Sequence, residues 1–241
     1  MNNRIEQEIL HGRKISNKAE FIWGWGTPAG KKRAERRANY FVVFGDIREG
    51  KKVLEIGCGM GIFTKKLAHT KAYIVAIDIS PDLIQRATNE VKCDNVSFYI
   101  DDVENMRFED SSFDCVVGSS VLHHLNLRRA LLEINRVLKK NGKAIFTEPN
   151  MLNPQIILQK NIKPIGKILG DLPSETAFFR WQLTKIFLEA GFKKVSIKPF
   201  DFLHPWVPQF CIKGIEKIGL LLEKIPIIRE IAGSLLIIAE K

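Results

Sequence analysis

Nine residues constrain this chain more than any others: Val53-Leu54-Glu55-Ile56 runs directly into Gly57-Cys58-Gly59-Met60-Gly61. A buried strand that turns through alternating glycines into a helix lets backbone amides approach a bound group closely, with the positive end of the helix behind them. Two familiar frames are excluded. The dinucleotide frame G-x-G-x-x-G fails, because its third glycine falls on Ile62 counted from Gly57 and on Thr64 counted from Gly59. A phosphate-binding P-loop fails as well, since no Gly-Lys-Ser/Thr follows. An acid stands two residues before the first glycine, at Glu55, and a carboxylate there suits a ligand with an ammonium or sulfonium group better than one with a pyrophosphate.

Around this turn, residues 53–150 alternate short β-branched runs with helical patterns, which predicts βαβ units and a parallel sheet. Strands are expected over Lys52–Ile56, Ala72–Ile77, Val96–Ile100, Cys115–Ser119 and Lys143–Thr147. Helices are expected from Gly61 to Ala68, over Pro81–Val91 with Ser80 as N-cap, and over Leu127–Leu138 closed by Asn141-Gly142. After an irregular stretch rich in Asn and Pro, Leu183–Ala190 reads as a helix ended by Gly191. Val195–Pro199 and Leu235–Ala239 then read as the sixth and seventh strands. With 241 residues, 45% of them hydrophobic, the chain has enough core for one domain over 1–241 without staples. We divide it into an N-terminal cap over 1–50, a cofactor-binding core over 51–150 and an acceptor-side half over 151–241 that carries an insertion at 200–233.

The ordered set of motifs resembles the class I S-adenosylmethionine-dependent methyltransferases, in particular the group that includes ubiquinone and menaquinone methyltransferases and many small-molecule enzymes. Its parts are the Glu-x-Gly-x-Gly-x-Gly turn, Ile77-Asp78-Ile79-Ser80 after the second strand and Asp101-Asp102-Val103 after the third. Ser112-Phe113-Asp114 stands before the fourth strand, Leu122-His123-His124-Leu125 after it, and Gly191-Phe192 further on. The resemblance implies an α/β fold with a doubly wound, mostly parallel seven-stranded sheet, an N-terminal lid and a helical insertion between the last two strands. It implies S-adenosyl-L-methionine as cofactor. Asp78 would accept from the ribose hydroxyls, Ile79 would pack on adenine, Asp102 would take the adenine amino group and Val103 a ring nitrogen. The amides of Gly57, Cys58, Gly59 and Gly61, with Glu55 and Ser119, would surround the methionine part. All lie at strand carboxyl ends, where open α/β sheets bind ligands.

His124, His123 and Glu148 are the candidates for a general base, in that order, because they stand at the mouth of this site. Asp114 reads as the cap of the turn into the fourth strand. No cysteine or histidine spacing matches a metal site. Cys58, Cys93, Cys115 and Cys211 are widely separated and read as reduced thiols of a cytoplasmic protein, and Glu6 and Glu8 spoil a secretory signal. No apolar run approaches the roughly 20 residues that cross a bilayer.

Net charge is +6 over 1–52, −1 over 53–150 and +5 over 151–241. The run Lys31-Lys32-Arg33-Ala34-Glu35-Arg36-Arg37 puts five cations on several faces of one helix, which reads as a solvated surface. Trp23 and Trp25 read as core or lid packing. In the insertion, Phe202, Leu203, Trp206, Val207 and Phe210 form an uncharged stretch with two readings: it packs on the domain's own sheet, or part of it roofs an apolar acceptor pocket lined by Trp206 and Phe210, with Lys213, Lys217 and Lys224 then available for peripheral contact with an anionic membrane if the acceptor is a lipid. The function expected is methyl transfer to a small, partly apolar organic acceptor, at O, N or C. An RNA methyltransferase using the basic flanks and a non-catalytic cofactor-binding protein are the alternatives. Nucleic acid is disfavoured, because no Asn-Pro-Pro-Tyr-type signature or RNA-binding module is present.

Overall fold

The computed structural model describes residues 3–16, 18–162 and 176–241. The sheet is formed by β1 (Lys52–Ile56), β2 (Tyr73–Asp78), β3 (Val96–Ile100), β4 (Phe113–Ser119), β5 (Leu138–Pro149), β6 (Lys194–Phe200) and β7 (Ser234–Glu240), in the order β3-β2-β1-β4-β5-β7-β6. The first five strands pair in parallel, and β7 runs antiparallel between β5 and β6. The chain lays β2 and β3 on one side of β1 and then crosses to place β4 on the other. That reversal opens a crevice at the carboxyl ends of β1 and β4.

The central strands read as unbroken apolar runs because both of their faces are covered. Alternate residues part company: Leu54, Ile56, Val116, Phe146 and Ile237 enter one core with Leu131, Ile134 and Phe187, while Val53, Ile74, Val117, Ile145 and Leu236 enter another with Phe41, Phe63 and Leu67. The first core is closed by α6 (Leu127–Val137) and α8 (Arg180–Glu189). The second is closed by α3 (Pro28–Gly45) and α4 (Ile62–Ala68). The remaining α-helices among the described residues are α1 (Asn3–Ile15), α2 (Ala19–Ile22), α5 (Pro81–Glu90), α7 (Pro154–Asn161), α9 (Ile212–Leu222) and α10 (Pro226–Arg229). Ser80 caps α5 as expected, its hydroxyl accepting from the Leu83 amide. Among the described residues no helix is long and apolar enough to cross a membrane.

Helix α3 begins where Thr27 Oγ1 accepts from the Gly30 amide at 2.9 Å, with Pro28 at the first position. Gly30, Ala34, Ala38 and Phe41 recur along its buried side. Gly30 is needed there, since a Cβ would fall 1.8 Å from the Gly24 carbonyl oxygen.

Several expectations need correction. Helix α6 is not closed by Asn141-Gly142. It ends at Val137 because Leu138 turns extended to pair with Phe113, and the strand continues to Pro149 with Asn141, at φ 62°, in a looped-out step before Lys143 pairs with Cys115. The N-terminal cap contains two further helices, and part of the stretch read as irregular is α7. Residues 163–175 of that stretch lie outside the described residues. Asp114 does not cap the turn into β4 as expected: it lies inside that strand, and its Oδ2 ties the neighbouring strands together by accepting from the Lys52 amide of β1 and from Lys139 Nζ of β5, each at 2.9 Å.

Candidate active site

The turn after β1 is built as its glycines require. Gly57, Gly59 and Gly61 have φ of 62°, 54° and 84°, and a Cβ on Gly57 would lie 2.4 Å from Val121 Cγ2. The Cys58 amide donates to the Ile77 carbonyl and the Gly59 amide to Asp78 Oδ2, at 3.0 and 2.9 Å, so β2 holds the turn in place. Asp78 Oδ1 accepts from the Ser80 amide at 2.9 Å. Burial raises the Asp78 carboxyl above its ordinary range, against the lowering effect of these two amides. At the end of β3, Asp102 Oδ1 accepts from the Glu104 amide at 2.9 Å, and Asp101 pairs with Arg107.

Glu55 is in a different position from that expected. Its side chain is buried beneath the turn beside Thr64, outside the cavity wall, and its Oε2 has no hydrogen-bond partner. Burial pushes its carboxyl up to about 8, so it is largely neutral at pH 7. Gly61 also lies outside the wall.

Beyond β4, the chain turns through Ser120 into a short 3₁₀ turn, Leu122–His124. Glu148 organises this turn. Its Oε1 accepts from the amides of Val121 and Leu122, each at 2.9 Å, and its Oε2 lies 2.7 Å from His123 Nδ1. Glu148 is fully buried behind His123 and does not face the cleft as expected, whereas both histidines do. Their rings lie 4.2 Å apart. His124 is bound to the N-terminal helix: Nδ1 is 3.1 Å from Glu8 Oε1, and its carbonyl accepts from Arg4 Nη1. Arg4 also pairs with Glu104, and Arg86 with the Ser16 carbonyl, so α1 is fastened across the ends of β2, β3 and β4.

The solvated-surface reading of Lys31–Arg37 is overturned for three of its arginines. Arg36 forms a forked ion pair with Glu223, Oε1 and Oε2 at 2.8 and 2.5 Å. Arg33 Nε donates to Asp201 Oδ2 at 2.8 Å, and Arg37 is only 3% exposed. Burial, and after it Arg33, pulls Arg37 down to about 10. Against its own burial, Asp201 is held below the ordinary carboxylate range by Arg33 and Arg37. The missed signal is one of spacing: Arg37 follows Gly30 and Ala34 and precedes Ala38 and Phe41 on the buried stripe of α3.

These parts enclose a cavity of about 500 Å³ at the crevice. Gly57, Cys58, Gly59, Asp78, Ile79, Asp102, Val103 and Ser119 line it, together with His123 and His124. The N-terminal segment contributes α1 residues, Trp23 and Trp25, and the segment after β6 contributes Phe202, Leu203 and Pro205. Trp23 rests on the glycine turn and Trp25 packs edge-on against Phe63. Trp206 and Phe210 do not line the cavity; they stand 52% and 88% exposed outside it.

A doubly wound sheet whose topological crevice holds a glycine turn, a braced acid after β2 and a second acid after β3 defines a protein built to hold a nucleoside-bearing cofactor. Residues 54–146 match the family described as "Methyltransferase domain". A demethylmenaquinone methyltransferase of Chlorobaculum parvum is 30% identical over 171 residues, covering 63% of this chain and 69% of that protein. An uncharacterized protein of Methanocaldococcus jannaschii is 36% identical over 119 residues, 49% of this chain and 45% of its own, so the chain spans about half the length of that relative. Among solved structures, a SAM-dependent methyltransferase of Archaeoglobus fulgidus superposes with a TM-score of 0.62 at 22% identity over 88% of this chain and 94% of that one, which shows a shared fold. The chain belongs to the class I S-adenosylmethionine-dependent methyltransferases.

Proposed function

We propose that the protein transfers a methyl group from S-adenosylmethionine to a small, partly apolar organic acceptor. One observation carries the reading: a single cavity joins the glycine turn, Asp78 and Asp102 at one end to a mixed apolar and polar chamber at the other. The turn fits the cofactor, because its glycines leave a cradle that side chains would fill. Each Asp78 oxygen already accepts one backbone amide and keeps capacity for a ribose hydroxyl. Ile79 would cover the adenine face, Asp102 would accept from its amino group and the Val103 amide would donate to its ring. Gly57, Cys58, Gly59 and Ser119 would surround the methionine part. Glu55 and Gly61 act by shaping the turn from outside the cavity.

The cofactor, when bound, supplies a methyl group on a positively charged sulfur. The protein's contribution is to hold the acceptor in line with that group and to exclude water, which lowers the barrier mainly through proximity and electrostatics. For an acceptor hydroxyl, His123 is the better placed base. Glu148 accepts from Nδ1–H and leaves Nε2 free to take a proton. His124 serves at the gate, joined to α1 through Glu8. The segment 1–50 is then a cover over the cofactor end. The inward turn of Arg33, Arg36 and Arg37 removes much of the basic face that an RNA substrate would use, and the free cysteines suit a cytoplasmic enzyme.

Calorimetry with S-adenosylhomocysteine tests the reading, with one site per chain as the expected result. Absence of binding at millimolar ligand to the folded protein would overturn it.

A further inference from the structure

Burying a guanidinium is costly unless it is fully paired, and Arg37 is not. The rings of Trp25 and Phe200 cover it at 5.1 and 5.7 Å. Nη1 donates to the hydroxyls of Ser119 and Thr147 at 3.2 and 3.3 Å, and Nη2 to that of Ser234 at 2.7 Å. Nε is buried with no partner. The carboxylate in contact, Asp201, lies 3.4 Å from Nη2 and only 2.8 Å from Arg33 Nε, so the one anion in contact is shared between two cations, with Arg33 nearer; Glu148 attracts Arg37 from beyond contact distance and is itself committed to His123 and the 3₁₀ turn. Arg36 does not alter this balance, because Glu223 matches it. His204, on the same wall, is held below its ordinary pKa by burial and by Arg33, so it brings no dependable charge at neutral pH.

The imbalance has a direction within the cavity. Asp78, Asp101 and Asp102 stand at the ends of β2 and β3. Arg33 and Arg37 stand over the ends of β5, β6 and β7, and both line the cavity beside Ser119 and Leu203. The acid end suits the hydroxyls and amino group of a nucleoside. The opposite end presents two guanidinium groups, a planar donor set that matches carboxylate and phosphate oxygens.

We propose that Arg33 and Arg37 form the subsite for an anionic group of the methyl acceptor, so that the acceptor is a partly apolar organic carboxylate or phosphate ester. This rests on the methyltransferase reading above and narrows its substrate class. A ligand anion supplies the missing countercharge, Leu203 and Trp25 meet its apolar body, and the reacting atom is held between this subsite and the cofactor end. Without that anion, the two cations retain one shared carboxylate.

The test is calorimetry with benzoate, phenyl phosphate and neutral benzyl alcohol, each titrated into the protein with and without saturating S-adenosylhomocysteine. The wild-type protein should bind at least one of the two anions ten or more times tighter than benzyl alcohol. Arg33→Gln and Arg37→Gln should each abolish that preference and Arg37→Lys should keep part of it, while affinity for S-adenosylhomocysteine stays within about threefold. Equal binding of anions and alcohol by the wild type, or an undiminished preference in the Gln variants, overturns the proposal. A tenfold loss of S-adenosylhomocysteine affinity in Arg37→Gln also overturns it, by giving the subsite to the cofactor's own carboxylate. If Arg37→Gln does not fold, Arg33→Gln alone decides. Failure of the wild type to bind S-adenosylhomocysteine would sink the cofactor reading instead, and the cofactor-free titrations would still judge the anion subsite.

Discussion

Replacing Glu55 with glutamine should flatten the pH dependence of stability on the alkaline side of pH 5. In the folded protein the Glu55 carboxyl is pushed from 4.5 up to about 8 by burial, partly offset by Thr64. Its folded form therefore holds a proton that the unfolded chain has released, and the sign follows. Below pH 4.5 both states are protonated and the group costs nothing. As pH rises from there to about 8, stability falls at up to ~1.4 kcal/mol per unit, for a ceiling of ~5 kcal/mol. Relaxation and water entry through the turn will reduce that ceiling, so a difference of at least ~1.5 kcal/mol should separate pH 5 from pH 8. Glutamine keeps the size of the side chain and cannot titrate. Urea unfolding followed by tryptophan fluorescence at pH 5, 6, 7 and 8 gives the measurement, with the Glu55→Gln minus wild-type difference isolating this one group. Parallel profiles for the two proteins would refute the burial argument and place Glu55 in contact with solvent or a cation.

Asp78→Ala should weaken S-adenosylhomocysteine binding by about 1–3 kcal/mol, roughly 5- to 150-fold, because the hydrogen bonds that Asp78 offers the ribose are lost without emptying a core position. Calorimetry on a variant with unchanged far-UV circular dichroism reads it, and an unaltered affinity would remove Asp78 from the site. For His123, a long-range ¹H–¹⁵N spectrum should show the neutral ring protonated at Nδ1 in the wild type and at Nε2 in Glu148→Gln, whose amide can donate where the carboxylate accepted. The same tautomer in both proteins would mean that Glu148 does not orient the ring.

Most of the sheet is legible in the sequence, because strands buried on both faces must be continuously apolar and the glycine turn admits few alternatives. Each expected strand is present within a few residues, and the acids after β2 and β3 fall on the cavity wall. What was hidden is whatever depends on elements far apart in the chain. Glu55 looked like a ligand because of its distance from Gly57, but strand alternation turns it towards Thr64. The cations of α3 looked solvated because a charge run usually is; only the apolar stripe shared by Arg37 and Ala38 reveals that part of the run faces inward. Glu148 is an acid at a strand end like Asp78, yet the backbone of the 3₁₀ turn claims one of its oxygens. Composition alone does not separate a pocket roof from other packing for Trp206 and Phe210, and the aromatic partner that Trp206 takes, Phe21, lies outside the cavity.

The fastening of α1 also sets an order in time. Arg4 meets Glu104 and the His124 carbonyl across 100 and 120 residues, and Glu8 meets His124 across 116. A ribosome delivers those partners roughly ten seconds after the helix itself at ordinary synthesis rates. Helix α1, made well before its partners, is therefore among the last to dock, because ordering it early would incur a loop-closure cost with nothing yet in place to reward it. During that interval the β1 turn and the acid after β2 can assemble with their side of the cavity uncovered. On the cofactor placement proposed above, S-adenosylmethionine would then meet an open half-site before the wall from α1 is laid across it.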